Sequence, residues 1–73
     1  MKEMDVTSEV TGNVWKVLMQ VGDRVEADEP IVLVESMKME IPVVSERAGT
    51  IAAILVSEGD PVSEGDVVVR VTI

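Results

Sequence analysis

Shifting the sequence along itself by 37 positions aligns residues 1–36 with residues 38–73 and makes 11 of the 36 pairs identical. Composition alone gives roughly three or four such matches. Gly12 aligns with Gly49, Leu18 with Leu55, Gly22-Asp23 with Gly59-Asp60, Val25 with Val62, and Val32 and Val34 with Val69 and Val71. Two copies are too few for a solenoid, whose units stack in arrays. The repeat therefore predicts a single domain, residues 1–73, made of two similar halves related by an approximate two-fold axis.

Each half reads as short strands broken by turns. In the first half the apolar runs place strands near residues 3–8, 12–19 and 31–36, with a turn at Gly22-Asp23. The second half repeats this order near 40–45, 50–56 and 66–72, with its turn at Gly59-Asp60. These runs are bounded by Gly, Asp and Pro and are too short for helices, which need about 10 uninterrupted residues or more. In the Gly-Asp pairs, glycine supplies positive φ and the aspartate can bond backbone amides two residues on, a structural role rather than a catalytic one. Asp28 stands where the second half has Gly65, and aspartate tolerates a left-handed conformation better than most residues.

The stability of such a fold must come from its aliphatic core. A chain of this size buries only about 60% of the surface its unfolded form exposes, and with no cysteine it has neither a disulfide staple nor a thiolate metal site. Valine and isoleucine fill the strands, and Trp15 is the one aromatic residue. Strand alternation sets Trp15 opposite Lys16, so Trp15 is predicted to lie in the core, the alternative being a ligand-stacking platform.

Several functions are disfavoured. Histidine is absent, which removes the commonest proton shuttle near neutral pH and the commonest zinc or copper ligand. No carboxylates fall at metal-ligand spacing, so neither a metal site nor a set of catalytic residues is assigned. A formal charge of −8 repels nucleic-acid phosphates and anionic membrane surfaces. No apolar run approaches the roughly 20 residues of a membrane span, and the start MKEMD lacks the apolar stretch of a signal peptide. The expected setting is soluble and cytoplasmic.

The repeat also locates the middle of the chain, Glu35-Ser36-Met37-Lys38-Met39-Glu40. It pairs residue 36 with 73 and residue 38 with 1, so the join between the halves is the symmetry mate of the gap between the chain ends. If the strand ending at Glu35-Ser36 turns directly into the one beginning at Met39-Glu40, Met37-Lys38 is a two-residue hairpin loop. A type I′ turn needs φ > 0 at both central positions and favours Asn-Gly or other Gly-containing pairs. Met-Lys is costly there, on the order of 1–3 kcal/mol per residue, and such strain persists where function requires it. The competing reading packs Met37 and Met39 in the core and leaves Lys38 a solvated charge. Against it, Lys38 is the only lysine beyond position 16 and is flanked by methionines, soft side chains suited to a partner surface.

Glu35-Ser36-Met37-Lys38-Met39 resembles the Met-Lys-Met signature of biotinyl domains. The resemblance covers nearly the whole chain through Gly12, Gly22-Asp23, Gly49 and Gly59-Asp60, and is greatest to the short stand-alone biotin/lipoyl attachment proteins of bacteria. It implies an all-β fold, a flattened barrel or sandwich of two four-stranded antiparallel sheets (a barrel-sandwich hybrid) with the attachment lysine on an exposed hairpin. It also implies a non-catalytic carrier. Biotin protein ligase would join biotin to the Lys38 ε-amine, and the domain would carry carboxybiotin from a biotin carboxylase site to a carboxyltransferase site. The amine must lose a proton to attack the activated acyl adenylate, and acylation removes its positive charge. Ser36 departs from the alanine common at its position, and no insertion resembles the protruding thumb of one subclass of carrier.

Lipoyl domains share this fold and also use a hairpin lysine, so lipoate is the alternative acyl group. Their lysine usually follows an acidic residue and precedes a small one, whereas this chain has Met37 and Met39, which favours biotin. Met37 and Met39 are read as recognition neighbours of Lys38, with Glu35, Ser36 and Glu40 completing the hairpin; the two glutamates either orient a ligase or are simply solvated carboxylates at the strand ends. A different class of function, an unmodified barrel that docks another subunit, would need no lysine in the central turn.

Overall fold

The computed structural model describes residues 2–73, which form eight strands and no helix. They are β1 (Glu3–Thr7), β2 (Gly12–Val17), β3 (Arg24–Val25), β4 (Pro30–Ser36), β5 (Met39–Val44), β6 (Gly49–Ile54), β7 (Pro61–Val62) and β8 (Val67–Thr72). Two four-stranded antiparallel sheets result, ordered β1-β8-β6-β3 and β5-β4-β2-β7. Shifting by 37 residues converts one order into the other, strand for strand. The sequence repeat is a spatial one.

The core obeys the same operation. Its twelve buried hydrophobic residues form six pairs: Val6 and Val43, Val14 and Ile51, Val25 and Val62, Ile31 and Val68, Val32 and Val69, Val34 and Val71. Each sheet buries one face against the other, and β-branched side chains fill the space between with little rotamer freedom to lose. Ser8 and Ser45 are buried mates too, and each hydroxyl donates to a carbonyl two residues on, Val10 and Arg47 respectively. These bonds let the chain bend out of β1 and β5 without burying an unpaired polar group.

The two Gly-Asp turns match in detail. Gly22 has φ 95° and Gly59 has φ 92°. The carboxylate of Asp23 accepts from the Gln20 amide at 2.9 Å, and that of Asp60 from the Ser57 amide at 2.8 Å. The bonded amide lies three residues before the aspartate, not two after it, so the carboxylate closes the turn from its far side. Asp28 adopts φ 66° where Gly65 adopts 91°, as their alignment predicts.

Two further expectations are corrected. The sequence patterns place three strands in each half, whereas the structure has four. β3 and β7 are two residues long and carry one buried side chain each, Val25 and Val62, too little apolar pattern to read as strands. Trp15 is 47% exposed rather than buried. The β2–β4 register shifts between Val14 and Lys16, so Trp15 is the extra residue of a bulge. A bulge breaks strict alternation, and Trp15 and Lys16 both face out.

Candidate functional site

The strands β4 and β5 form a hairpin with Ser36 opposite Met39, Glu35 opposite Glu40, Val34 opposite Ile41 and Leu33 opposite Pro42. Its loop is Met37-Lys38, with φ of 51° and 65°. Both are left-handed, as a type I′ turn demands, and the right-handed twist of the two strands selects that turn over the commoner ones. With Asp28, these are the non-glycine residues of positive φ among the described residues.

The turn throws its side chains into solvent. Met37 is 93% exposed and Met39 64% exposed, so the reading that buries the methionines does not hold. Lys38 is exposed as well. Among the described residues the ion pair within 4 Å is Arg70 Nε to Asp5 Oδ1, in the other sheet. The Lys38 amine is thus accessible on a strand-anchored turn with no carboxylate holding it down.

The base of the hairpin is fastened to β2. A β-carbon on Gly12 would overlap the Glu35 carbonyl oxygen and lie 3.1 Å from Val34 Cγ1, so only glycine lets β2 approach β4 this closely. Ser36 Oγ donates to the Thr11 carbonyl at 2.8 Å, a tie that alanine could not make. Sequence reasoning did not foresee either anchor: a glycine's role in close approach and a hydroxyl's partner 25 residues away are properties of the folded chain.

Glu35 and Glu40 are exposed and directly opposite each other, an arrangement of like charges that costs the sheet stability. The structure thus brings Glu35, Ser36, Met37, Lys38, Met39 and Glu40 together at one hairpin end. Lys2 and Ile73 close the corresponding end of the other sheet, where Ile73 N donates to the Lys2 carbonyl at 2.8 Å. Lys2 and Ile73 are the repeat mates of Met39 and Ser36.

The family model described as Biotin-requiring enzyme, the biotin/lipoyl model, matches residues 1–71. The chain belongs to the biotin/lipoyl attachment family. It is 42% identical over 69 residues to the biotin/lipoyl attachment protein of Bacillus subtilis, covering 94% of each. A lipoyl relative matches too: the dihydrolipoyllysine-residue acetyltransferase component of the pyruvate dehydrogenase complex of Pseudomonas aeruginosa is 31% identical over 72 residues, 99% of this chain and 13% of that protein. Among solved structures, Kluyveromyces lactis urea carboxylase contains a region that superposes with a TM-score of 0.94 at 36% identity, covering 99% of this chain and 6% of that one. This family member is therefore homologous to a carrier-sized piece of a carboxylase, and its two-sheet architecture is the family's.

Proposed function

We propose that Lys38 is covalently biotinylated and that the domain carries carboxyl groups within a biotin-dependent carboxylase system. One observation carries the reading: the left-handed Met37-Lys38 turn at the tip of the β4–β5 hairpin, with its lysine exposed between two exposed methionines. The residues suit the group, since a tethered carrier needs a nucleophilic amine that is accessible and an attachment point that does not wander.

In the loading step the deprotonated Lys38 Nζ attacks the carbonyl carbon of biotinyl adenylate in a biotin protein ligase. The new N–C amide bond forms as the carbonyl–phosphate bond breaks, AMP departs with the electron pair, and the amine's second proton goes to a base of the ligase. The domain contributes position rather than catalysis. The hydrogen-bonded hairpin base presents one amine in a narrow geometry, and Met37 and Met39 are the side chains a ligase meets beside it. Once attached, biotin supplies a ureido nitrogen that can take up a carboxyl group at a biotin carboxylase and release it at a carboxyltransferase. Glu35 and Glu40 give the hairpin base a negative field that orients it against a basic partner surface.

Lipoate is the second reading, favoured by the Pseudomonas aeruginosa relative; exposed methionines on both sides of Lys38 weigh toward biotin. Incubation with biotin protein ligase, ATP and biotin, and separately with a lipoate ligase, followed by intact mass, separates the two. The proposal requires one biotinyl unit per chain, and lipoylation without biotinylation would overturn it.

A further inference from the structure

The described methionines fall into two kinds. Met4 and Met19 are half-buried and packed against the core, and their repeat mates are the aliphatic residues Ile41 and Val56, so each fills apolar space. Met37 and Met39 are 93% and 64% exposed and have no such counterpart: Met37 falls between the two repeats, and Met39 aligns with Lys2. All twelve buried hydrophobic residues are valine or isoleucine. The left-handed φ of 51° at Met37, with Ser36 paired to Met39 behind it, keeps both thioethers at the hairpin tip. The fold requires neither methionine and shelters neither.

A thioether in water is open to oxidation, and its sulfoxide is a polar, chiral group where an apolar one stood. We propose that Met37 and Met39 are a reversible oxidation site, and that oxygen on either sulfur closes the turn to the ligase that loads Lys38. The oxidant is a hydroperoxide. The sulfur lone pair attacks its outer oxygen, and the S–O bond forms as the O–O bond breaks. Water leaves from hydrogen peroxide, or an alcohol from an organic hydroperoxide, so that sulfur loses the two electrons the peroxide gains. A methionine sulfoxide reductase with a dithiol returns the thioether, releasing water as the dithiol becomes a disulfide.

Position makes this chemistry a gate. The two sulfurs flank the one amine that reacts, so a ligase cannot hold Lys38 in its attack geometry without enclosing them. Enclosing a sulfoxide oxygen in a surface shaped for methionine strips its water and supplies no donor, which slows loading by about tenfold or more. Neither side chain belongs to the core, so an oxidised chain waits, folded and unloaded, until it is reduced.

The gate rests on biotinylation of Lys38, and its test lets the two fail separately. Apo protein is treated with a small excess of hydrogen peroxide, and catalase then destroys the oxidant. Peptide mass maps the added oxygen before ligase, ATP and biotin are supplied. Oxygen should enter Met37 and Met39 ahead of Met4 and Met19, circular dichroism should not change, and the initial rate of biotinylation should fall by about tenfold or more. The reductases for both sulfoxide epimers, with dithiothreitol, should restore it. The double variant Met37→Leu, Met39→Leu has no thioether at the turn, so its treated and untreated forms should load at one common rate, whatever that rate is; if that variant is not loaded, reversal by the reductases decides. An undiminished rate with Met37 and Met39 oxidised overturns the gate and leaves the carrier reading standing. Slowing that the reductases do not reverse, or that the leucine variant shares, places the lesion elsewhere and overturns it too. Earlier oxidation of Met4 or Met19 does the same. Untreated protein that gains no biotin removes both proposals.

Discussion

Gly12 lies against the backbone of Glu35 so closely that a β-carbon would overlap the Glu35 carbonyl oxygen. Gly49 stands in the same relation to Thr72 in the other half. Neither backbone can yield without disturbing a strand pair. Gly12→Ala and Gly49→Ala should therefore each cost about 1–3 kcal/mol, read by urea unfolding. Only Gly12→Ala presses on the hairpin base, so it alone should slow biotinylation under conditions where both variants are folded. Equal slowing of both would show that Gly12 supports the fold and not the hairpin in particular.

Ser36→Ala removes the bond to the Thr11 carbonyl and should lower stability by about 0.5–1.5 kcal/mol. Because the turn itself is untouched, the rate of loading should stay within about twofold of the parent, less than 0.5 kcal/mol in the barrier. Denaturant curves paired with single-turnover loading check both parts.

Met37 holds φ 51°, a conformation that asparagine enters more readily. Met37→Asn should stabilise the domain by up to about 1 kcal/mol while slowing its ligase, the pattern of a strained residue kept for recognition. A variant that is both more stable and loaded as fast as the parent would remove the functional reason for methionine at this position.

Replacing Met37 by Asp and Met39 by Ala gives the neighbours typical of lipoyl domains. Specificity is a difference of two affinities, and a ligase that reads a short turn meets little beyond these side chains. Competing biotin and lipoate ligases should shift their product ratio toward lipoate with less than about 1 kcal/mol change in stability, since both sites are surface positions. An unchanged ratio counts against recognition through the methionines.

Most of the architecture was legible because the repeat is internal to the chain. A shift of 37 residues predicted equivalent halves, and the paired core, the Gly-Asp turns and the Asp28–Gly65 correspondence follow it. The hairpin was legible for a different reason: Met37-Lys38 violates a turn rule, and a violation is visible in sequence. Trp15 is misplaced by alternation because a bulge leaves no local mark in Asn13-Val14-Trp15-Lys16, and counting back from the outward Lys16 across the extra residue sets Trp15 inward. β3 and β7 escaped notice because a pair of residues has no period. The Ser36–Thr11 tie joins residues far apart in sequence, and nothing in either segment announces the other.

The attachment role of Lys38 stands or falls with its amine. Lys38→Arg keeps length, charge and exposure, and surface substitutions of this kind usually stay within about 0.5 kcal/mol, so circular dichroism and melting should match the parent. Loading should vanish, because a guanidinium remains protonated and cannot attack an acyl adenylate, and Lys2 and Lys16 lie outside the hairpin turn. The decisive measurement is intact mass, with streptavidin binding, after incubation with biotin protein ligase, ATP and biotin. The parent should gain one biotinyl unit and folded Lys38→Arg none; a biotinyl unit gained by that variant at the parent's rate would rule out Lys38 as the attachment site.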